Sequence, residues 1–433
     1  MRVLMFGWEF PPHITGGLGT ACYGLTKGLA FNGVKVHFVV PKVYGGEDQS
    51  QITLHAAEGV EFSERNFSFG EFYEQMRYFE VGSNIIPYLS PEEYEILVNE
   101  DVKHDTITSE KILGRKFKFS GAYGKNLMLE VSRYAMVASV IARQLKSDFD
   151  IIHAHDWLTY AAGVAAKRAT GKPLVVHMHA TEYDRSGEGN INHQVYGIEK
   201  MGMSEADTVI SVSNFTRSII INKYGIAPDK VVTVHNAVEA DESERAEYKK
   251  YIPEKIVTFL GRITYQKGPD YFVQSALKVL QRDPNVRFVM AGSGDMLNRM
   301  IKRVATLGIA DNFHFTGFLK GPEVTKMFAM SDVYVMPSVS EPFGISPLEA
   351  MRSNVPVIIS KQSGVSEVLK HAVKVDFWDV DAMADAIYGL LHYKALSTMF
   401  KELGKDEVDN LKWDNSAAKV KNVYIDTMAK VMG

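Results

Sequence analysis

The feature that most constrains the fold is a rhythm that runs through the chain twice. Short runs rich in β-branched and aliphatic residues recur at 3–6, 34–40, 151–154, 174–178, 208–212 and 231–235. A second series follows at 256–260, 287–291, 313–316, 333–336 and 356–359. Helix-length segments alternate with these runs. A strand that is apolar at successive positions must be buried on both faces, and a parallel sheet covered by helices on either side provides that burial. The expectation is α/β architecture in two units. The charged stretch 239–250, poor in apolar residues, is the expected linker. The expected domains are therefore 1–240 and 250–413. An insertion over about 45–125 interrupts the first series and is dense in aromatics, among them Phe62, Phe67, Phe69, Phe72, Tyr73, Tyr78, Phe79 and Tyr123. Most of these are expected to form a small local core.

Composition narrows the class of protein. The 433 residues carry a formal net charge of -4 and no long basic stripe, which speaks against a nucleic-acid partner. The single cysteine, Cys22, excludes an intrachain disulfide and suits a reducing compartment. The longest apolar candidate, 127–145, contains Glu130, Arg133 and Arg143 and reads as a packed amphipathic helix, so no integral membrane segment is expected. The opening Met1-Arg2-Val3-Leu4-Met5-Phe6-Gly7 is interrupted too soon for a signal peptide. A cytoplasmic location is the expectation.

Ligands of parallel sheets bind beyond the carboxyl ends of the strands, so chemistry is sought just after each run. After the first run comes Pro11-Pro12-His13-Ile14-Thr15-Gly16-Gly17-Leu18-Gly19-Thr20. Such a glycine-rich turn lets backbone N–H groups approach an anion. It has neither dinucleotide-fingerprint spacing nor the Gly-Lys-Ser/Thr of a P-loop. The run 256–260 ends in Gly261-Arg262-Ile263-Thr264-Tyr265-Gln266-Lys267-Gly268. There Arg262 offers a two-pronged contact and Lys267 a point charge, a pair suited to a diphosphate. The run 333–336 leads into Glu341-Pro342-Phe343-Gly344-Ile345-Ser346-Pro347-Leu348-Glu349. A helix is expected from near Ser346, with Pro347 in its first turn, so N–H groups around Gly344, Ile345 and Ser346 can hold a phosphate. Glu341 and Glu349 are two carboxylates able to bind sugar hydroxyls or to act as acid and base.

Histidines mark the other half. His153-Ala154-His155-Asp156-Trp157 closes one run, and His177 and His179 close the next. Residues two apart share a strand face, so one member of each pair is expected to pack and the other to face a cleft. With no supporting pattern around them, no metal site is assigned. Asp379-Val380-Asp381 precedes an amphipathic segment and reads as a helix cap rather than a metal motif.

Together these segments resemble the retaining glycosyltransferases of the GT-B fold, including the glycogen and starch synthases, over nearly the whole chain. The resemblance implies two facing Rossmann-like domains, with a C-terminal helix from about 414 to 433 crossing back to the first, acceptor-side domain. It implies that Gly16 and Gly17 belong to a donor-phosphate loop and that His155 meets the transferred sugar. Arg262 and Lys267 would clamp the diphosphate, Glu341 would face the donor sugar, and Glu349 would bind the ribose. His155, Arg262, Lys267 and Glu341 are thus the expected catalytic residues. The implied partners are UDP-glucose or ADP-glucose as donor and an α-glucan or oligosaccharide as acceptor, with no metal or other cofactor. Bacterial ADP-glucose enzymes of the group carry Lys and Asp where this chain has Ile14 and Thr20, which makes UDP-glucose at least as good an expectation. A lipid-linked or small-molecule acceptor is the alternative. A non-enzymatic sugar-nucleotide binder would not need Arg262, Lys267, Glu341 and Glu349 together, and a phosphorylase of this fold is far longer.

Overall fold

The computed structural model of the chain describes residues 1–12, 17–63, 114, 116–121, 127–187, 189–238, 250 and 252–432. Gly16, the linker residues 239–249 and the aromatics Phe67, Phe69, Phe72, Tyr73, Tyr78, Phe79 and Tyr123 lie outside them.

Two parallel sheets form the two halves. Among the described residues the first has seven strands in the order β3-β2-β1-β4-β5-β6-β7. These are β1 (Arg2–Phe6), β2 (Lys35–Val40), β3 (Thr53–Ala56), β4 (Ile151–His155), β5 (Leu174–Met178), β6 (Thr208–Ser211) and β7 (Val231–Thr233). The second has six strands in the order β10-β9-β8-β11-β12-β13. These are β8 (Lys255–Leu260), β9 (Val286–Ala291), β10 (Phe313–Gly317), β11 (Val333–Met336), β12 (Val357–Ser360) and β13 (Val373–Val375). Every pairing between these strands is parallel, and the central strands are buried along their length, as continuous apolar runs require.

Two strands depart from the sequence reading. β3 lies inside the segment taken as an insertion, where Thr53–Ala56 pairs with β2. β13 is a three-residue edge strand on β12. Both are short edge strands, which need no long apolar run. Phe62, Phe117 and Phe119, from around the insertion, join the main core beside Tyr134 instead of forming a core of their own.

Helices Leu127–Gln144 and Trp157–Thr170 cover one face of the first sheet. Helix Gly17–Phe31 and the C-terminal helix Trp413–Met432 cover the other. Two glycines set how closely that second pair packs. A Cβ on Gly24 would lie 2.2 Å from Trp413 Nε1, and one on Gly28 would lie 2.6 Å from the Trp413 carbonyl oxygen. The chain thus returns to the first half after building the second. Its outward and return crossings run side by side, since Val238 N donates to Leu411 O at 3.2 Å and Val238 bridges Lys412 in parallel.

Candidate active site

Strand order reverses between β1 and β4 in the first sheet and between β8 and β11 in the second. At such switch points successive helices leave on opposite faces, and the carboxyl ends of two adjacent strands open into a crevice. The polar motifs of the sequence follow these four strands.

On the second sheet, the loops after β8 and β11 are locked together by Gly268. Its φ is +65°, and a Cβ there would lie 2.0 Å from the Pro337 carbonyl oxygen. Val339 N donates to Gln266 O at 2.9 Å, completing the join. Lys267 Nζ therefore meets Glu341 Oε2 at 2.5 Å, and Ser338 Oγ donates to the same oxygen at 3.1 Å. Glu341 is only 6% exposed, so its carboxylate depends on these partners. Arg262 is exposed at the mouth of the loop and donates to Gln266 Oε1 at 3.4 Å. Gly344, at φ +98°, turns the chain into helix Ser346–Arg352, which carries Pro347 in its first turn. Tyr334 reaches from β11 to Ser346 Oγ at 2.8 Å and donates to the Leu260 carbonyl at 3.3 Å, so the start of this helix is tied to the end of β8. Pro347 has no N–H, and the N–H groups of Leu348 and Glu349 donate to Ile345 O at 2.9 and 3.2 Å, so those of Gly344, Ile345 and Ser346 are the ones placed to meet an anion.

On the first sheet, Gly17 opens helix Gly17–Phe31 with no atom near the position of a Cβ. His155 ends β4 beside His177 of β5. The expectation that one member of each histidine pair faces a cleft holds for His179, which is partly exposed, but not for the first pair. His153 and His155 are both 0% exposed, because β4 is central and covered on both faces. His153 Nδ1 lies 2.6 Å from the Tyr424 hydroxyl of the C-terminal helix, and His155 Nδ1 lies 2.9 Å from His179 Nε2. Burial pushes all four imidazoles well below their usual range, His179 to about 3, so they are neutral near pH 7.

Nitrogens of His153, His155 and His177 lie within 4.8 Å of one another. An ion must lie in the plane of each ring that ligates it, yet His153 and His177 are stacked with planes only 8° apart. That geometry packs rings better than it gathers lone pairs. A second trio, Cys22, His155 and His179, already joins two of its nitrogens to each other. Asp379 caps helix Val380–His392 by accepting from Ala382 N at 3.0 Å.

A buried polar cluster behind His155 escaped the sequence reading. Asp156 adopts φ +62° and accepts from His179 N at 3.0 Å and Ala180 N at 3.3 Å, fixing the loop after β5. Arg185 is paired with Glu182 and Glu199, and Glu199 also accepts from the Tyr224 hydroxyl. The segment 181–187 then reaches the second half. Asp184 accepts the hydroxyl of Ser340, the neighbour of Glu341, and Gly187 abuts Tyr265. The available signal was Thr181-Glu182-Tyr183-Asp184, a capping box realised here in both directions.

Further contacts join the halves. Ser213 Oγ donates to Pro342 O at 2.6 Å. Glu367 accepts from Asn214 N and Phe215 N, at the N-terminus of helix Asn214–Tyr224, and meets His235 Nε2 at 2.7 Å. The carboxyl ends of the two sheets therefore face one another across a cleft.

Comparison with known proteins gives this geometry its family. Residues 2–239 match the starch synthase catalytic domain, and residues 240–407 match the glycosyl transferases group 1. The chain belongs to the starch synthase family of glycosyltransferases. Along its length it is 29% identical to an uncharacterized glycosyltransferase of Methanocaldococcus jannaschii, covering 98% of each chain. It is 24% identical to the glycogen synthase of Mycobacterium tuberculosis, covering 98% of this chain and 94% of that one. The sucrose-phosphate synthase of Thermosynechococcus elongatus shares the fold with a TM-score of 0.69 at 17% identity, covering 99% of each chain. This glycosyltransferase has the GT-B arrangement of two Rossmann-like halves with a returning C-terminal helix.

Within the glycosyltransferase, Arg262, Lys267, Glu341, Gly344, Ile345, Ser346 and Glu349 gather around the ends of β8 and β11. Lys267 is held on Glu341. His155 and Gly17 belong to the facing half.

Proposed function

We propose that the enzyme moves a glucosyl unit from UDP-glucose or ADP-glucose to the non-reducing end of an α-glucan, with retention at C1, as part of glycogen biosynthesis in the cytoplasm. The observation that carries this reading is the Lys267–Glu341 pair at the β8/β11 switch point, facing the strand ends that hold His155.

In this reading Arg262, Lys267 and the N–H groups of Gly344, Ile345 and Ser346 hold the donor diphosphate, with Gly16 and Gly17 approaching it from the other half. Glu349 binds the ribose. The C1–O bond to the diphosphate breaks, and the electron pair leaves with the phosphate oxygen. The acceptor hydroxyl bonds to C1 on the same face, and its proton passes to the departing phosphate. Glu341 and His155 bind the sugar while positive charge develops at C1. The protein's cations meet the leaving-group charge, so no metal is required. A preorganised charged donor at such a position is worth roughly 10²–10³ in rate.

The test offers each donor with glycogen, with malto-oligosaccharides and with a membrane lipid extract, in excess chelator. Chain elongation that α-amylase digests supports the reading. Product confined to the lipid fraction refutes the α-glucan acceptor, and turnover that returns only with manganese or magnesium refutes metal independence.

A further inference from the structure

His155 is enclosed at the end of β4. Its Nδ1 lies 2.9 Å from His179 Nε2, and its Nε2 is buried without a protein partner. With both rings neutral, a single proton lies between the facing nitrogens. If His155 Nδ1 donates, its Nε2 is bare and His179 carries its proton on Nδ1. If His179 Nε2 donates, both rings are in the Nε2–H form. That form is the intrinsically preferred neutral tautomer of histidine, so the second arrangement suits both rings and the first suits neither.

The flanking imidazoles of His153 and His177 are neutral, and burial keeps the Cys22 thiol protonated. His179 is held in place through its backbone, whose N–H donates to Asp156 Oδ1.

We propose that His179 is a positioning residue that holds His155 as the Nε2–H tautomer, leaving at the end of β4 an enclosed N–H donor whose use in the reaction would be toward the transferred sugar. The role toward sugar rests on the function proposed above; the tautomer does not. A neutral histidine's function depends on which nitrogen carries the proton, and the bond made by the other nitrogen decides it.

The experiment is a long-range proton–nitrogen correlation spectrum of the [15N]histidine-labelled full chain, with His155 assigned through His155→Gln. A protonated Nε2 and bare Nδ1 at His155 is the expected result, and the reverse pattern overturns the proposal. Two variants then separate positioning from packing. His179→Gln retains an N–H donor toward Nδ1 and should keep both the tautomer and kcat. His179→Leu should mix the tautomers and lower kcat about tenfold with little change in donor KM, less than the ~10²–10³-fold expected for deleting a preorganised donor. A leucine variant with unchanged tautomer and unchanged kcat refutes the role of His179. The spectrum is read without substrate, so absence of transfer from every nucleotide sugar would count against the proposed function while the tautomer is still decided.

Discussion

Lys267 carries two duties in this account, neutralising Glu341 and meeting the donor diphosphate. Lys267→Ala and Arg262→Ala should each lower kcat by roughly two orders of magnitude. Circular dichroism should show the fold intact, since both side chains lie at strand ends; full activity in the double variant would contradict the assignment. The histidines give a pH prediction. Neutral when folded, they take up protons on unfolding once the pH falls below about 6.5. Their contribution is fully present above that value and is lost as the pH falls toward the folded-state value, about 3 for His179. Each should steepen the loss by about 1.4 kcal/mol per pH unit. The urea midpoint should therefore drop between pH 7.5 and pH 5, less steeply in His177→Asn; a flat midpoint would contradict neutral burial. At this scale the sequence was legible where charge follows a strand end, as at Arg262, Lys267 and Glu341. It was not legible where a partner comes from far along the chain, as with Tyr424 on His153 or Ser340 on Asp184.

Strands were the most readable elements, because those buried on both faces cannot alternate polar and apolar residues. β3 and β13 were missed for the complementary reason: an edge strand borrows its pairing from a neighbour and needs little apolar sequence. Loop joins were also invisible, although Gly268 supplies a sharp test of them. Gly268→Ala puts a Cβ 2.0 Å from Pro337 O at a residue with φ +65°. It should destabilise the protein by about 1–3 kcal/mol and separate the β8 and β11 loops. Thermal melts and nucleoside-diphosphate binding should both suffer; normal binding in a folded variant would show that the join does not shape the site.

At the scale of the molecule, the two halves meet through Asp184–Ser340, Ser213–Pro342 and the Glu367 contacts with His235 and helix Asn214–Tyr224. These contacts are polar, Val212 and Ile345 add apolar packing between the halves, and the two crossings run side by side, so opening and closing about that pair is the natural motion. Glu367→Ala combined with Ser340→Ala should enlarge the radius of gyration of the free protein in solution scattering, with nucleoside diphosphate restoring compaction. An unchanged radius would argue that these contacts do not hold the halves together. The central claim, retaining glucosyl transfer at the facing strand ends, is tested most directly by the product's stereochemistry. Incubation of UDP- or ADP-[1-13C]glucose with a malto-oligosaccharide, followed by NMR of the labelled anomeric centre, should show a new α-linkage at the non-reducing end; a β-linkage, or no incorporation from either donor, would contradict it.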